Sequence, residues 1–168
     1  MSRKTKPHPL INYLQELRNK DDKAALAALR RGLNGDVQTQ IAFMSPYISR
    51  FTQDFPHWLE QQYYLIASLY AYYPESVDKG NMGNHFLRKI DPTNSDSSAP
   101  VERRFSHLLA AHPDELHYHL RQAISYLRAD NIAINWHQLA HDVRSWSHQD
   151  RYVQRNWANA FWGSNPDA

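Results

Sequence analysis

Hydrophobic residues along this chain recur at intervals of three and four rather than two, the period of a helix with one buried face. Leu10, Tyr13, Leu14 and Leu17 form a first stripe. Asp21 or Asp22 supplies a cap for a second helix, DKAALAALRR, which stops at Gly32. After the loop LNGD, the series Val37, Ile41, Met44, Ile48 predicts a third helix, with Pro46 disturbing its end. Asp54 followed by Pro56 is a cap-plus-proline start for HWLEQQYYLIASLYAYY, the longest apolar helix, which Pro74 closes.

From Glu75 to Pro100 the pattern changes. GNMGNHFLRKI has room for a short helix, and DPTNSDSSAP reads as a polar, proline-bearing loop. Helical periodicity then returns. VERRFSHLLAAH leads to Pro113, which fits the first turn of DELHYHLRQAISYLRAD, Asn135 caps WHQLAHDVRSW, and Asp150 opens RYVQRNWANAFW before Gly163. Alternating β-branched runs are almost absent. The expected fold is therefore all-α, an irregular helical bundle forming a single domain over 1–168. Its subdivided form is two small lobes, 8–74 and 100–163, joined by a partly mobile linker at 75–99.

Composition adds few constraints. Apolar residues make up 42% and aromatics 12% of the 168, enough for a proper core. There is no cysteine, which excludes disulfides, thiolate zinc sites and cysteine nucleophiles. The N-terminus is basic without an apolar signal core, and no window approaches a membrane span, so a soluble, cytoplasmic protein without membrane partners is expected. Net charge is only +2, yet the cations are thirteen arginines against six lysines. Arginine suits planar, bidentate holding of phosphate or carboxylate.

Helical geometry distributes those arginines. With about 100° per residue, Phe105, Leu108 and Leu109 define a buried stripe from which Arg103 points almost opposite, while Arg104 falls on its flank. Arg104 is thus expected to lay its stem on the core and pair with a carboxylate, leaving Arg103 to reach a partner. Leu116, Leu120, Ile124 and Leu127 face inward in the next helix, with Arg121 and Arg128 along one edge. His137, His141, Arg144 and His148 form a stripe beside Trp136, Val143 and Trp146, and Arg151, Arg155 and Trp162 share a face of the last helix. Arginines beside an exposed aromatic suit single-stranded nucleic acid, because charge tracks the backbone and rings stack on bases.

No catalytic apparatus is visible. His137 and His141 have the spacing of a helical zinc pair, but no glutamate follows the first and no third ligand is evident. There is no Walker loop, no dinucleotide fingerprint and no nucleophile elbow. Neither a cofactor nor a metal is expected.

RRG, GNMGNHF, ERRF, LHYHLRQAISYL, INWHQLAHDVRSW and RNWANAFW, in this order, resemble the CasB family, the small subunit of the type I-E CRISPR surveillance complex, Cascade. The resemblance is strongest from about Gly80 to Trp162. It implies a non-catalytic, all-helical subunit in antiviral defence that assembles as two copies beside the large and backbone subunits. It further implies contact with crRNA and target DNA, the displaced non-target strand above all, and stabilisation of the R-loop. The family's basic positions fall on Arg30, Arg31, Arg103, Arg104 and Arg121, with Arg144 and Arg151 in a segment where such positions shift. Arg128 and Arg155 join the candidates from helix geometry alone. The rival readings are a protein–protein scaffold with little nucleic-acid contact and a histidine-dependent metallohydrolase.

Overall fold

A computed structural model describes residues 4–34 and 36–163. Its fold is all-α, with nine α-helices among the described residues. Two compact units divide the chain between Pro74 and Glu75.

The first unit contains α1 (Pro9–Asn19), α2 (Lys23–Arg30), α3 (Val37–Thr52) and α4 (His57–Tyr72). α4 is apolar over most of its circumference, and α1, α2 and α3 all pack against it. Asp22, not Asp21, caps α2, accepting the Ala25 N–H at 3.0 Å. Asp36 does the same for α3 at Thr39, 2.9 Å away. The α1 stripe is rotated from its expected phase: Ile11 is buried with Leu10, Leu14 and Leu17, whereas Tyr13 is half-buried. α3 departs further. It continues through Pro46 to Thr52, and its buried residues are Met44, Ile48 and Thr52, while Val37 and Ile41 remain about half exposed at 48% and 52%. α4 starts at Pro56 without a side-chain cap, so the expected capping by Asp54 does not occur.

The second unit runs from Glu75 onward and also takes in Thr5. Its helices are α5 (Met82–Leu87), α6 (Ser98–Leu109), α7 (Leu116–Arg128), α8 (Trp136–Arg144) and α9 (Tyr152–Trp162). Residues 75–99, expected as a linker between lobes, are folded into this unit. Polar groups account for that. Asn81 and Asn84 form a reciprocal capping box at the start of α5, in which the Asn81 N–H donates to Asn84 Oδ1 at 2.9 Å. Ser76 pairs with Ile134 in an isolated parallel bridge. α6 starts earlier than expected, placing Pro100 in its first turn, where a missing N–H costs nothing.

α5 lies tightly against α9, because Gly83 has no side chain to hold off the Trp157 carbonyl. Phe105 is the hub of an aromatic cluster, its ring centroid 5.1 Å from Phe86 and 4.6 Å from Phe161. Trp146 and Trp157 meet at 5.1 Å. Two titratable side chains are buried here. His85 Nε2 accepts the Asn135 backbone N–H at 3.0 Å. Asp142 accepts Trp157 Nε1–H at 2.7 Å and the Gln138 amide at 2.8 Å. Asn135, in turn, caps α8 and donates to the Gly80 carbonyl at 2.9 Å.

Candidate nucleic-acid interface

The position of Arg103 and Arg104 follows from the phase of α6. Val101, Phe105 and Leu108 are its buried residues, while Leu109 is only half-buried. This stripe holds the helix against α5, α7 and α9 and leaves Arg103, Arg104 and His107 exposed. α7 buries Leu116, Leu120, Ala123, Ile124 and Leu127. Beside that stripe Tyr118 and Gln122 are exposed, and His119 and Tyr126 are half-buried.

Between α6 and α7 these side chains enclose a cleft of about 310 Å³. Phe86, Leu108 and Ala123 supply its buried apolar lining. Arg103, Arg104 and His107 come from α6, and Tyr118, His119, Gln122 and Tyr126 from α7. None of these lining residues is acidic. Glu115, outside the lining, lies 4.0 Å from His119 Nε2.

The two arginines differ in what they touch. The Arg104 guanidinium lies 4.7 Å from the Tyr126 ring centroid, a cation–π contact rather than the expected carboxylate pair. Lys89 approaches the same ring at 3.9 Å, donates to the Tyr126 carbonyl at 2.9 Å and pairs with Asp130 at 2.8 Å. Lys89 is thereby held by its neighbours. Arg103 has no hydrogen-bond or ion-pair partner among the described residues, and its guanidinium is available to a ligand. Although helical phase separates the two, both reach the cleft.

The remaining candidates do not join them there. On α7, Arg121 and Arg128 lie roughly 130–150° around the helix from the middle of the cleft-lining residues, at about 100° per residue. Arg144 is exposed at the last residue of α8, and Arg155 is exposed one turn into α9. Arg151 precedes α9 in a left-handed conformation, φ 53°, so the start of that helix rests on Arg151 rather than on a cap by Asp150. Trp162 is 43% exposed, and its ring contacts Phe105 at 5.4 Å and Phe161 at 4.8 Å. In the first unit Arg30 and Arg31 are exposed where α2 ends, and Arg31 lies 4.6 Å over the Phe43 ring.

The expected histidine stripe is broken. α8 ends at Arg144, so His148 falls outside the helix that carries His137 and His141. Burial, and then the proximity of His141, push the pKa of His137 below its ordinary value. Among the described residues no group of three or more histidine, cysteine or carboxylate side chains is arranged to hold a metal. No described helix is long and apolar enough to cross a membrane.

Tyr118, Gln122 and Tyr126 are absent from the sequence-based candidates. Their spacing of four residues along one flank of α7 was a usable signal, but an exposed polar stripe beside a hydrophobic one also describes an ordinary solvated helix face.

Comparison with known proteins identifies the fold's family. The model of the CRISPR-associated protein Cse2 family matches residues 25–162. The chain belongs to that family. A Cse2 protein from Thermus thermophilus is 28% identical over 158 residues, covering 92% of this chain and 88% of the relative. The crystal structure of a Cse2-family protein from the same organism superposes with a TM-score of 0.77 at 28% identity, covering 92% of this chain and 96% of the other. CasB from M. ruber gives 0.71 at 27% identity, with 94% of each chain covered. A chain of a CRISPR RNA-guided surveillance complex gives 0.63 at 26% identity, covering 90% of this Cse2-family chain and 92% of its counterpart.

Proposed function

We propose that this Cse2-family chain is the non-catalytic small subunit of a Cascade-type CRISPR surveillance complex in the cytoplasm. In this reading it acts in antiviral defence, in two copies beside the large and backbone subunits, and contacts crRNA and target DNA. Its physical task is to hold the phosphate backbone of the displaced non-target strand. R-loop formation exchanges one duplex for another of similar stability, so modest backbone contacts tip the balance without reading sequence.

The observation that carries this reading is the α6–α7 cleft. Two arginine side chains reach it, none of its lining residues is acidic, and Arg103 has no partner among the described residues. Arg103 is the principal phosphate contact, and Arg104, braced by Tyr126, adds charge at a fixed position. Arg30, Arg31, Arg121, Arg128, Arg144, Arg151 and Arg155 are auxiliary contacts along the strand or toward neighbouring subunits. A purely scaffolding role would require the same arginines to bind acidic protein surfaces instead.

Replacing Arg103 and Arg104 by alanine separates the two roles. The complex should assemble normally and release target DNA faster. The slope of log affinity for single-stranded DNA against log salt should flatten by about 0.7 for each phosphate that the variant no longer engages. Failure of the variant to assemble, with an unchanged salt slope, would instead support the scaffold.

A further inference from the structure

A phosphate backbone needs only exposed cations. The α6–α7 cleft offers more than that. Its lining includes the buried side chains of Phe86, Leu108 and Ala123, beside which Tyr118 leaves 56% of its surface exposed. Gln122, also exposed, has no hydrogen-bond partner among the described residues, and its amide carries both a donor and an acceptor. Neither a bare phosphate nor an acidic side chain would use the apolar surface or the phenol ring. A flat heteroaromatic ring attached to a phosphate would use all of them. The volume, about 310 Å³, is at the lower end for small-ligand pockets and is enough to take one base.

We propose that the cleft accepts one unstacked base of a single strand. The base stacks on Tyr118 above the apolar lining, Gln122 meets its edge, and Arg103 holds the adjoining phosphate. This inference rests on the backbone-binding function proposed above and names the part of the strand that the site takes. The Gln122 amide can present a donor or an acceptor to any of the bases, so the site is tolerant of sequence. Duplex DNA keeps its bases paired and stacked and offers none to the cleft. The site therefore discriminates in favour of a displaced strand.

The test uses the full-length protein and two oligonucleotides of equal phosphate count, one containing 2-aminopurine and one fully abasic. Binding should quench 2-aminopurine fluorescence. Tyr118→Ala should remove that quenching and weaken the base-bearing oligonucleotide about 5- to 150-fold, the range for one stacked base. The same change should leave the abasic oligonucleotide's affinity unaltered. Tyr118→Phe, which keeps the ring, should behave as wild type and controls for folding. Equal weakening of both oligonucleotides by Tyr118→Ala, or of neither, overturns the base site. If Arg103→Ala and Arg104→Ala still weaken both in that case, the backbone reading stands alone. If binding is absent, or insensitive to salt and to those arginines, both readings fall.

Discussion

Adding one methyl group at Gly83 should destabilise the second unit by about 3 kcal/mol, at the upper end for overpacking a close contact. Intrinsic helix propensity argues the opposite sign, since Gly→Ala within a helix ordinarily gains up to about 1 kcal/mol. The geometry around Gly83 decides between them. A Cβ built there collides with the Trp157 carbonyl and meets Ala160 Cβ at 3.0 Å. The carbonyl belongs to the backbone of α9, so relief requires α5 and α9 to separate. Separation would loosen Trp157, which is fully buried and packs against Trp146 with the rings tilted. Thermal unfolding of Gly83→Ala should occur about 6–12 °C below wild type, scaling roughly 2–4 °C per kcal/mol for a chain of this size. Gly32 supplies the contrast. A methyl there meets the thioether of Met44, the flexible end of a side chain, and Ser68 Cβ at 3.3 Å, and should cost about 1 kcal/mol, the lower end for overpacking. A Gly83→Ala protein that melts at or above the wild-type temperature would show that α5 and α9 are not locked by this contact.

That contact illustrates what the sequence could not convey. GNMGNHF is legible as a short helix, but that its glycine faces the backbone of a helix more than seventy residues later is a tertiary fact. The low hydrophobicity of residues 75–99 suggested a linker because the capping box and the bridge to Ile134 are polar and contribute nothing to an apolar periodicity. Periodicity did reveal the all-α class and most helix positions. It gives the phase of a stripe, however, and not how far a partner covers it. Val37 and Ile41 fit the same stripe as Met44 and Ile48, yet burial begins only at Met44.

The candidate site was partly readable for the same reason. Angles around α6 separate Arg103 from Arg104 without any knowledge of the fold. They cannot supply Tyr126, whose ring meets Arg104 from another helix, or the small buried Ala123 among the cleft's lining. Arg121 looked equivalent to Arg103 in the sequence because α6 and α7 have no fixed relative rotation until they pack. Once packed, Arg121 lies on the flank of α7 away from the cleft.

Between pH 6.5 and 4 the two buried titratable groups of the second unit, His85 and Asp142, should drive stability in opposite directions, and removing one should expose the other. Burial, with a smaller contribution from the Arg88 charge, lowers the His85 pKa from 6.5 to about 4. The unfolded chain therefore binds the proton more readily. Stability present above pH 6.5 is lost as pH falls through 4, by ~3 kcal/mol at about 1.4 kcal/mol per pH unit. Burial raises the Asp142 pKa from 3.8 to about 6, against the opposing effects of the Trp157 and Gln138 hydrogen bonds and the His141 charge. Here the folded state binds the proton more readily. The associated stability is complete below pH 3.8 and is lost as pH rises through 6, again by ~3 kcal/mol. Across the shared window the two dependences nearly cancel. Asp142→Asn should therefore lose stability on acidification from pH 6.5 to 4 more steeply than wild type, by that amount. His85→Gln, whose amide oxygen can accept the Asn135 N–H, should instead gain stability over the same interval relative to wild type. Urea unfolding at half-unit steps of pH measures both differences. The remaining carboxylates and histidines titrate in all three proteins and, His141 beside Asp142 excepted, drop out of the comparison. Superimposable pH profiles for Asp142→Asn and wild type would mean that Asp142 titrates near its ordinary value despite its burial between Gln138 and Trp157.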